Sequence, residues 1–179
     1  MKFVATELEG VYILECFHAA DNRGSFTKTL HKSTFEKHGL TAHFEESFFS
    51  VNHKGVVRGM HFQTPPFDHV KLVYCNYGSL NDVVLDMRQS SPTFGKSISV
   101  KLSAENHRAL YIPSGFAHGF ETLEDHTLMT YLTSTEHAPA NDAGILYNSF
   151  GHQWETTSPI ISERDLAFPE LEAYKTPFV

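Results

Sequence analysis

Gly55-Val56-Val57-Arg58-Gly59-Met60-His61-Phe62-Gln63, with Lys71 eight residues further on, is the stretch from which the rest of the chain is read. Its apolar and β-branched residues predict a short strand, and Pro65-Pro66 stops it. A strand that carries an Arg, a His, a Gln and then a Lys is not ordinary core. Either its polar side faces water or it lines a pocket. His61 taken alone reads as a hydrogen-bonded or half-exposed strand histidine. Three later stretches shift that reading towards a pocket: Pro113 to Phe120, Tyr131, and Ser162 to Asp165.

Working outward, the same texture recurs. Strands are predicted over Glu9–Phe17, Ser25–Leu30, Phe44–Val51, residues 56–63, Val70–Tyr77, Leu80–Arg88, Ser97–Leu102, Ala109–Ile112, Gly119–Leu123 and Leu128–Thr133, with a last short one at Gly144–Asn148. In the Leu80–Arg88 segment Val83, Leu85 and Met87 alternate with Asp82, Val84, Asp86 and Arg88. Helix is confined to two short pieces. Ser33 to Gly39 has Ser33 as cap and Glu36 three residues on, and Ser162 to Phe168 ends at Pro169. Short strands at roughly 8–12-residue spacing with almost no helix leave a sandwich, a barrel or a jelly roll.

The chain has 179 residues, 41% of them hydrophobic and 20% charged, which predicts one packed domain over residues 1–179 and no disorder. The net charge of −7 argues against a nucleic-acid grip, so an anionic ligand would need the few Arg and Lys concentrated at its site. Cys16 and Cys75 have no metal or redox spacing, no apolar run approaches membrane-spanning length, and no leader is evident. The expectation is a reducing cytoplasm and no membrane partner. Of the many histidines, His18, His31, His38, His43, His53, His107, His126 and His152 sit in polar contexts and read as surface.

Arg58-Gly59-Met60-His61-Phe62-Gln63 resembles the R-G-[LM]-H-[YF]-Q signature of the dTDP-4-dehydrorhamnose 3,5-epimerase family. Asp21-Asn22-Arg23-Gly24-Ser25-Phe26 resembles that family's D-x-R-G-x-F, and Lys71-Leu72-Val73 its K-L-V. Asp82 to Arg88 with Ser91-Pro92-Thr93-Phe94-Gly95, Ile112 to Phe120, and Ser162-Glu163-Arg164-Asp165 are similar to three further family motifs, in the same order. Pro113-Ser114-Gly115-Phe116-Ala117-His118 also resembles the second motif of cupins, whose first motif carries H-x-H and a Glu. Here that region offers only His61, with Gly59 and Gln63 beside it, so a divalent ion would find two histidines where it usually wants three or four ligands. The resemblance therefore implies an all-β cupin jelly roll, a double-stranded β-helix barrel with a few short helices and neither metal nor other cofactor.

The resemblance also implies a reaction: inversion of C3, C5 or both of a 4-keto-6-deoxy sugar on a nucleoside diphosphate. That chemistry needs a base on one face of the ring, a group for the C4 oxygen, and an acid on the other face. By resemblance His61 is the base, Asp165 its carboxylate partner, Tyr131 the acid and Lys71 the cation at the enolate oxygen, with His118 assisting. Asp165 has a second explanation, because Ser-x-x-Asp is itself a helix-capping box. Arg23 and Arg58 are candidates for the diphosphate, since guanidinium offers paired donors. Phe26, Gln63 and His137 complete the implied substrate contacts. Strand alternation puts Arg58 and His61 on opposite faces, and a bulge at Gly59 would reconcile them.

The chain departs from the family pattern at four places. Lys28 replaces a Glu, Glu45-Glu46-Ser47-Phe48-Phe49-Ser50 replaces a Q-x-N segment, His137 replaces a second tyrosine, and Trp154-Glu155 replaces a W-P pair. The first two leave the nucleobase open, although dTDP is the implied one. The last two leave open which carbon is inverted, and His137 becomes a rival to Tyr131 as proton donor. A C3-only or C5-only epimerase, a 3,4-ketoisomerase, a metal-dependent cupin oxygenase and a non-catalytic sugar-binding jelly roll are the competing readings. Family members form dimers through an exchanged N-terminal strand, which implies a homodimer with residues 1–17 at its interface.

Overall fold

A computed structural model describes residues 1–179. Thirteen strands follow in order: β1 Lys2–Ala5, β2 Tyr12–Glu15, β3 Phe17–Asp21, β4 Gly24–Lys28, β5 Glu46–Asn52, β6 Val57–Gln63, β7 Lys71–Tyr77, β8 Ser79–Asp86, β9 Ser97–Ser103, β10 Arg108–Ile112, β11 Phe116–Thr122, β12 Thr127–Thr133 and β13 Asp142–Gly144. Helix α1 is Lys32–Lys37 and α2 is Glu163–Leu166. Six strands form one antiparallel sheet in the order β1-β2-β10-β7-β12-β5, and five form another in the order β13-β6-β11-β8-β9. This is the cupin jelly roll that the sequence implies.

The main core lies between the sheets. Val73, Leu110, Ile112, Met129 and Tyr131 of the six-stranded sheet meet Leu80, Val84, Val100, Leu102, Phe116 and Phe120 of the other. Each outer face is covered as well. Phe35 of α1 packs on Leu14, Leu72, Ala109 and Tyr111, while Phe178 packs on Phe62, Val83, Leu85 and Met87 behind the five-stranded sheet. This double burial explains strand β8. Its polar residues were expected to alternate with an apolar core face, yet Asp82 and Asp86 are both fully buried. Asp86 is tied to Arg88, Ser91 and Thr93, and Asp82 to His118.

Local details differ from expectation where tertiary partners intervene. The predicted Glu9–Phe17 strand is split between β2 and β3. Helix α1 starts at Lys32 with His31 in the capping position and no side-chain cap, so Ser33 is not the cap. The last strand is Asp142–Gly144 rather than Gly144–Asn148, because it pairs with Phe62 and Gln63 of β6. Strands β3 and β4 pair only with each other and leave the barrel as a separate hairpin.

The bulge at Gly59 is present. His118 pairs with His61 and Phe120 with Arg58, so Gly59 and Met60 together stand opposite Gly119. The extra residue changes the parity of the strand and lets Arg58 and His61 line the same cavity. Gly59 adopts φ +139°, and a Cβ on it would lie 2.6 Å from Gly119 Cα. No side chain fits against that backbone. Gly59→Ala is expected to lower unfolding stability by about 2 kcal/mol or more, read as a reduced urea midpoint.

Candidate active site

The open end of the barrel holds a cavity of about 340 Å³ lined from both sheets. His61 enters from β6. Its Nε2 lies 2.9 Å from Asp165 Oδ1, and the other oxygen of Asp165 accepts the Gly59 N–H at 3.0 Å. An ionised carboxylate only accepts, so the imidazole proton sits on Nε2 and Nδ1 keeps a lone pair. Burial lowers the His61 pKa and Asp165 opposes that shift, leaving it below the ordinary 6.5 and the ring neutral at pH 7. Burial would raise the Asp165 carboxyl, but its bonds from His61, Gly59 and Ser162 bring it below the usual range.

Both explanations of Asp165 hold at once. Ser162 caps α2 by accepting the Asp165 N–H at 3.1 Å. The Asp165 carboxylate does not complete the capping box and turns to His61 instead. Phe168, just past α2, sets its ring edge-on to His61 with centroids 5.7 Å apart, over the bare backbone of Gly144.

Lys71 opens β7 and is only 9% exposed. Its ammonium donates to the His61 carbonyl at 3.0 Å, which leaves two of its N–H groups uncommitted. Burial brings its pKa down to about 8, against the pull of Asp142 and Asp82. His118 is the cross-strand partner of His61, and its Nε2 lies 2.9 Å from Asp82 Oδ2. Burial pushes the Asp82 carboxyl upward. His61 and His118 are thus each tied to a separate carboxylate, and no three His, Cys, Asp or Glu side chains converge as a metal site.

Tyr131 comes from β12 on the opposite sheet. It is part of the core and its hydroxyl reaches the cavity. That hydroxyl is 3.1 Å from Ser50 Oγ, which accepts from Asn52 Nδ2 at 3.1 Å, and Asn52 Oδ1 accepts from Arg58 Nε at 2.8 Å. Burial pushes the phenol pKa up, so Tyr131 stays protonated throughout the working range. Phe48 stacks on it at 4.7 Å and 16°.

Gln63 lines the cavity, but its amide mainly ties loops together. It accepts from Ala138 N at 2.6 Å and donates to the Phe67 carbonyl at 2.8 Å. His137 lines the cavity as well, and its backbone N–H is held by Glu46 Oε2. Arg23 and Phe26 are the exceptions. They sit on the β3–β4 hairpin, which pairs with no barrel strand, and they line a separate exposed depression. Arg23 is instead engaged with Asp21 at 2.6 Å. Lys28 is on the same hairpin, and Trp154 packs on the outer core with its Nε1–H on the Tyr147 carbonyl, so neither of these two departures touches the cavity.

Sequence reasoning missed His69, Thr133, Asp142 and Arg164 as lining residues. Two carried a usable signal: Thr133 lies two residues from Tyr131, and His69 two from Lys71, the spacing of one strand face. Arg164 and Asp142 form an ion pair at 2.6 Å that joins α2 to β13, a contact between segments remote in sequence.

A neutral imidazole backed by a carboxylate, an ammonium and a protonated phenol, set in the mouth of a cupin barrel, define a cupin equipped for acid–base chemistry. Comparison with known proteins narrows that class. The family model described as dTDP-4-dehydrorhamnose 3,5-epimerase matches residues 5–173. The dTDP-4-dehydrorhamnose 3,5-epimerase of Shigella flexneri is 40% identical over 169 residues, 93% of each chain. The dTDP-4-dehydrorhamnose 3-epimerase of Streptomyces niveus is 35% identical over 92% of this chain and 81% of its own. A crystal structure of dTDP-6-deoxy-D-glucose-3,5-epimerase from Legionella pneumophila, in complex with dTDP-4-keto-L-rhamnose, superposes with a TM-score of 0.95 at 31% identity, covering 99% of this chain and 98% of that one. The chain belongs to the dTDP-4-dehydrorhamnose 3,5-epimerase family.

With His61 as the candidate base and Lys71 as the candidate cation, a pH profile is expected. An imidazole must be neutral to accept a proton, so kcat/KM is expected to rise through a value below 6.5. Lys71 is a cation below about 8 and neutral above it, so the rate is expected to fall as pH rises through about 8. Lys71→Arg should move that alkaline limb upward, since a guanidinium stays charged. An alkaline limb that stays at the same pH in the variant would show that another group sets it.

Proposed function

We propose that this chain is an isomerase that inverts C3, C5 or both of a 4-keto-6-deoxyhexose carried on a nucleoside diphosphate, most naturally dTDP, in deoxysugar biosynthesis. One observation carries the proposal: the base and the acid stand on opposite sheets. His61, backed by Asp165 of α2, projects from the five-stranded sheet and Tyr131 from the six-stranded one. A sugar ring between them presents one face to each.

The steps follow from the geometry. His61 Nδ1 takes the hydrogen α to the ketone, and the electron pair of that C–H bond passes into the C4 oxygen. The Lys71 ammonium offers its uncommitted N–H groups to the resulting enolate. Tyr131 then returns a proton to the opposite face of the same carbon, which inverts it; its phenolate regains a proton from solvent, and His61 releases the one it took to solvent. Arg58, fixed through Nε to Asn52, is left with its terminal nitrogens for a diphosphate oxygen. Glu46 and Phe48 stand where the family carries Q-x-N, so the nucleobase contact is the feature most open to change.

In D2O the reaction labels the carbon that is inverted. His61→Asn is expected to lose label incorporation by on the order of 10²–10⁴-fold, with nucleotide binding nearly unchanged. Tyr131→Phe should still wash deuterium in yet form little inverted product. Should Tyr131→Phe invert normally while His137→Ala does not, His137 is the acid. Full exchange in His61→Asn would remove the proposal.

Assembly is part of the same reading. The expected interface at residues 1–17 includes β1, an edge strand of the six-stranded sheet, and the exposed Phe17. The exposed apolar side chains include Phe17 and Phe26 on the hairpin and Phe49 and Val51 on edge strand β5. A homodimer that buries them would stop the edge strand from aggregating and would bring Arg23 and Phe26 against a second protomer. Phe26→Asp is expected to run as a monomer in light scattering at micromolar concentration, where the parent runs as a dimer. Residues 1–179 act as one domain in this scheme, since α2 supplies Asp165 to a barrel strand. The free thiols Cys16 and Cys75 suit a reducing cytoplasm.

A further inference from the structure

Three buried side-chain atoms have no hydrogen-bond partner in the protein: His69 Nε2, Thr133 Oγ1 and His152 Nε2. The first two belong to residues that line the cavity, on either side of Lys71. Thr133 is the cross-strand partner of Lys71, and His69 lies two residues before it. A buried polar atom without a partner is unfavourable, so two beside one ammonium call for a ligand that satisfies them.

The surroundings settle which tautomer His69 adopts. Gln63 Oε1 accepts the Ala138 N–H, which fixes the other end of the amide as the nitrogen. That nitrogen lies 3.2 Å from His69 Nδ1 and can only donate. With that amide donating to Nδ1, which also lies 3.4 Å from Thr135 Oγ1, Nε2 carries the hydrogen. Burial, with Lys71, His118 and His137 nearby, brings the His69 pKa down to about 3, so the ring is neutral across the working range. Nε2–H is then a fixed donor. Thr133, 3% exposed, has a hydroxyl that can accept as well as donate.

We propose that His69 Nε2–H and Thr133 Oγ1 together hold the sugar hydroxyl at C3, the one next to the ketone, as donor and acceptor respectively. A hydroxyl can accept from one and donate to the other at once. A ketone oxygen cannot donate and the C6 methyl can do neither. Lys71 between the pair takes the ketone oxygen, so the C3 hydroxyl on the neighbouring carbon falls beside it. The contact would fix the ring's rotation between His61 and Tyr131, which makes His69 and Thr133 positioning residues that also set substrate preference. The inference rests on the epimerase reading given above.

The test compares dTDP-4-keto-6-deoxyglucose with its 3-deoxy and 2-deoxy counterparts. It reads kcat/KM for deuterium entry from D2O at whichever carbon the parent enzyme labels. The parent is expected to lose on the order of 10–100-fold on the 3-deoxy substrate and much less on the 2-deoxy one. In Thr133→Val, which is nearly isosteric, and in His69→Leu, the two substrates with and without the C3 hydroxyl should come within about threefold of each other. His69→Gln, which keeps a donor, should restore part of the preference. A merely structural role would lower all three substrates alike. Variants that keep the parental preference, or that lose preference only against the 2-deoxy substrate, overturn the inference while leaving the epimerase reading intact. Thr133→Val decides the matter alone if His69→Leu does not fold. A parent enzyme that labels none of the three overturns the epimerase reading and this inference with it.

Discussion

The Asp165 carboxylate is the contact on which the site depends. It is 3% exposed, and a buried charge is tolerated only when its oxygens are met. One oxygen takes the His61 ring and the other the backbone N–H of Gly59, the bulged residue two positions earlier on the same strand. A single side chain from the C-terminal helix thereby holds both the bulge and the imidazole it re-aims. Bonds of this kind, to an ionised acceptor, contribute about 1.5–3 kcal/mol each. Their larger effect is to select one tautomer and one orientation of the ring.

A barrel closed on both outer faces makes such an arrangement feasible. The α1 segment covers one sheet and the C-terminal residues the other, so β8 and β11 need no solvent-facing polar stripe. Polar residues on the barrel strands can then point inward. Asp82, His118, Lys71, Gln63 and Thr133 are all under 10% exposed, and most are bonded to one another or to backbone. The interior is apolar at one end and a polar, low-dielectric cavity at the other. In that setting burial lowers Lys71 and His61 and raises Tyr131. These shifts put a neutral base and a protonated acid in one site at the same pH.

The chain Tyr131–Ser50–Asn52–Arg58 links the two ends of that cavity. The cation proposed for the diphosphate and the phenol proposed as acid share one hydrogen-bonded path across the sheets. None of these links is between sequence neighbours in the same element except Ser50 and Asn52.

The strand pattern, the turn residues and the six ordered motifs determined by themselves that this is an all-β cupin of the epimerase family. The resemblance of those motifs to the family also nominated His61, Lys71, His118, Tyr131, Arg58 and Asp165, because motif order is a property of the chain alone. The bulge at Gly59 was legible too, since glycine between two polar residues of conflicting parity marks one. Only the tertiary structure decided the rest. Whether Asp82 faces solvent or a histidine depends on what covers the other side of β8. Asp165 can cap a helix or orient a base, and it is free for the second role because Ser162 alone provides the cap while the helix docks beside β6. Arg23 and Phe26 fit the family pattern, yet the hairpin that carries them pairs with no barrel strand. His69, ordinary in sequence, has its Nδ1 met by the amide nitrogen of Gln63, which the turn between β6 and β7 brings to 3.2 Å. In most of these cases the deciding contact joins residues far apart along the chain, and a local pattern cannot encode which of several such contacts packing will select.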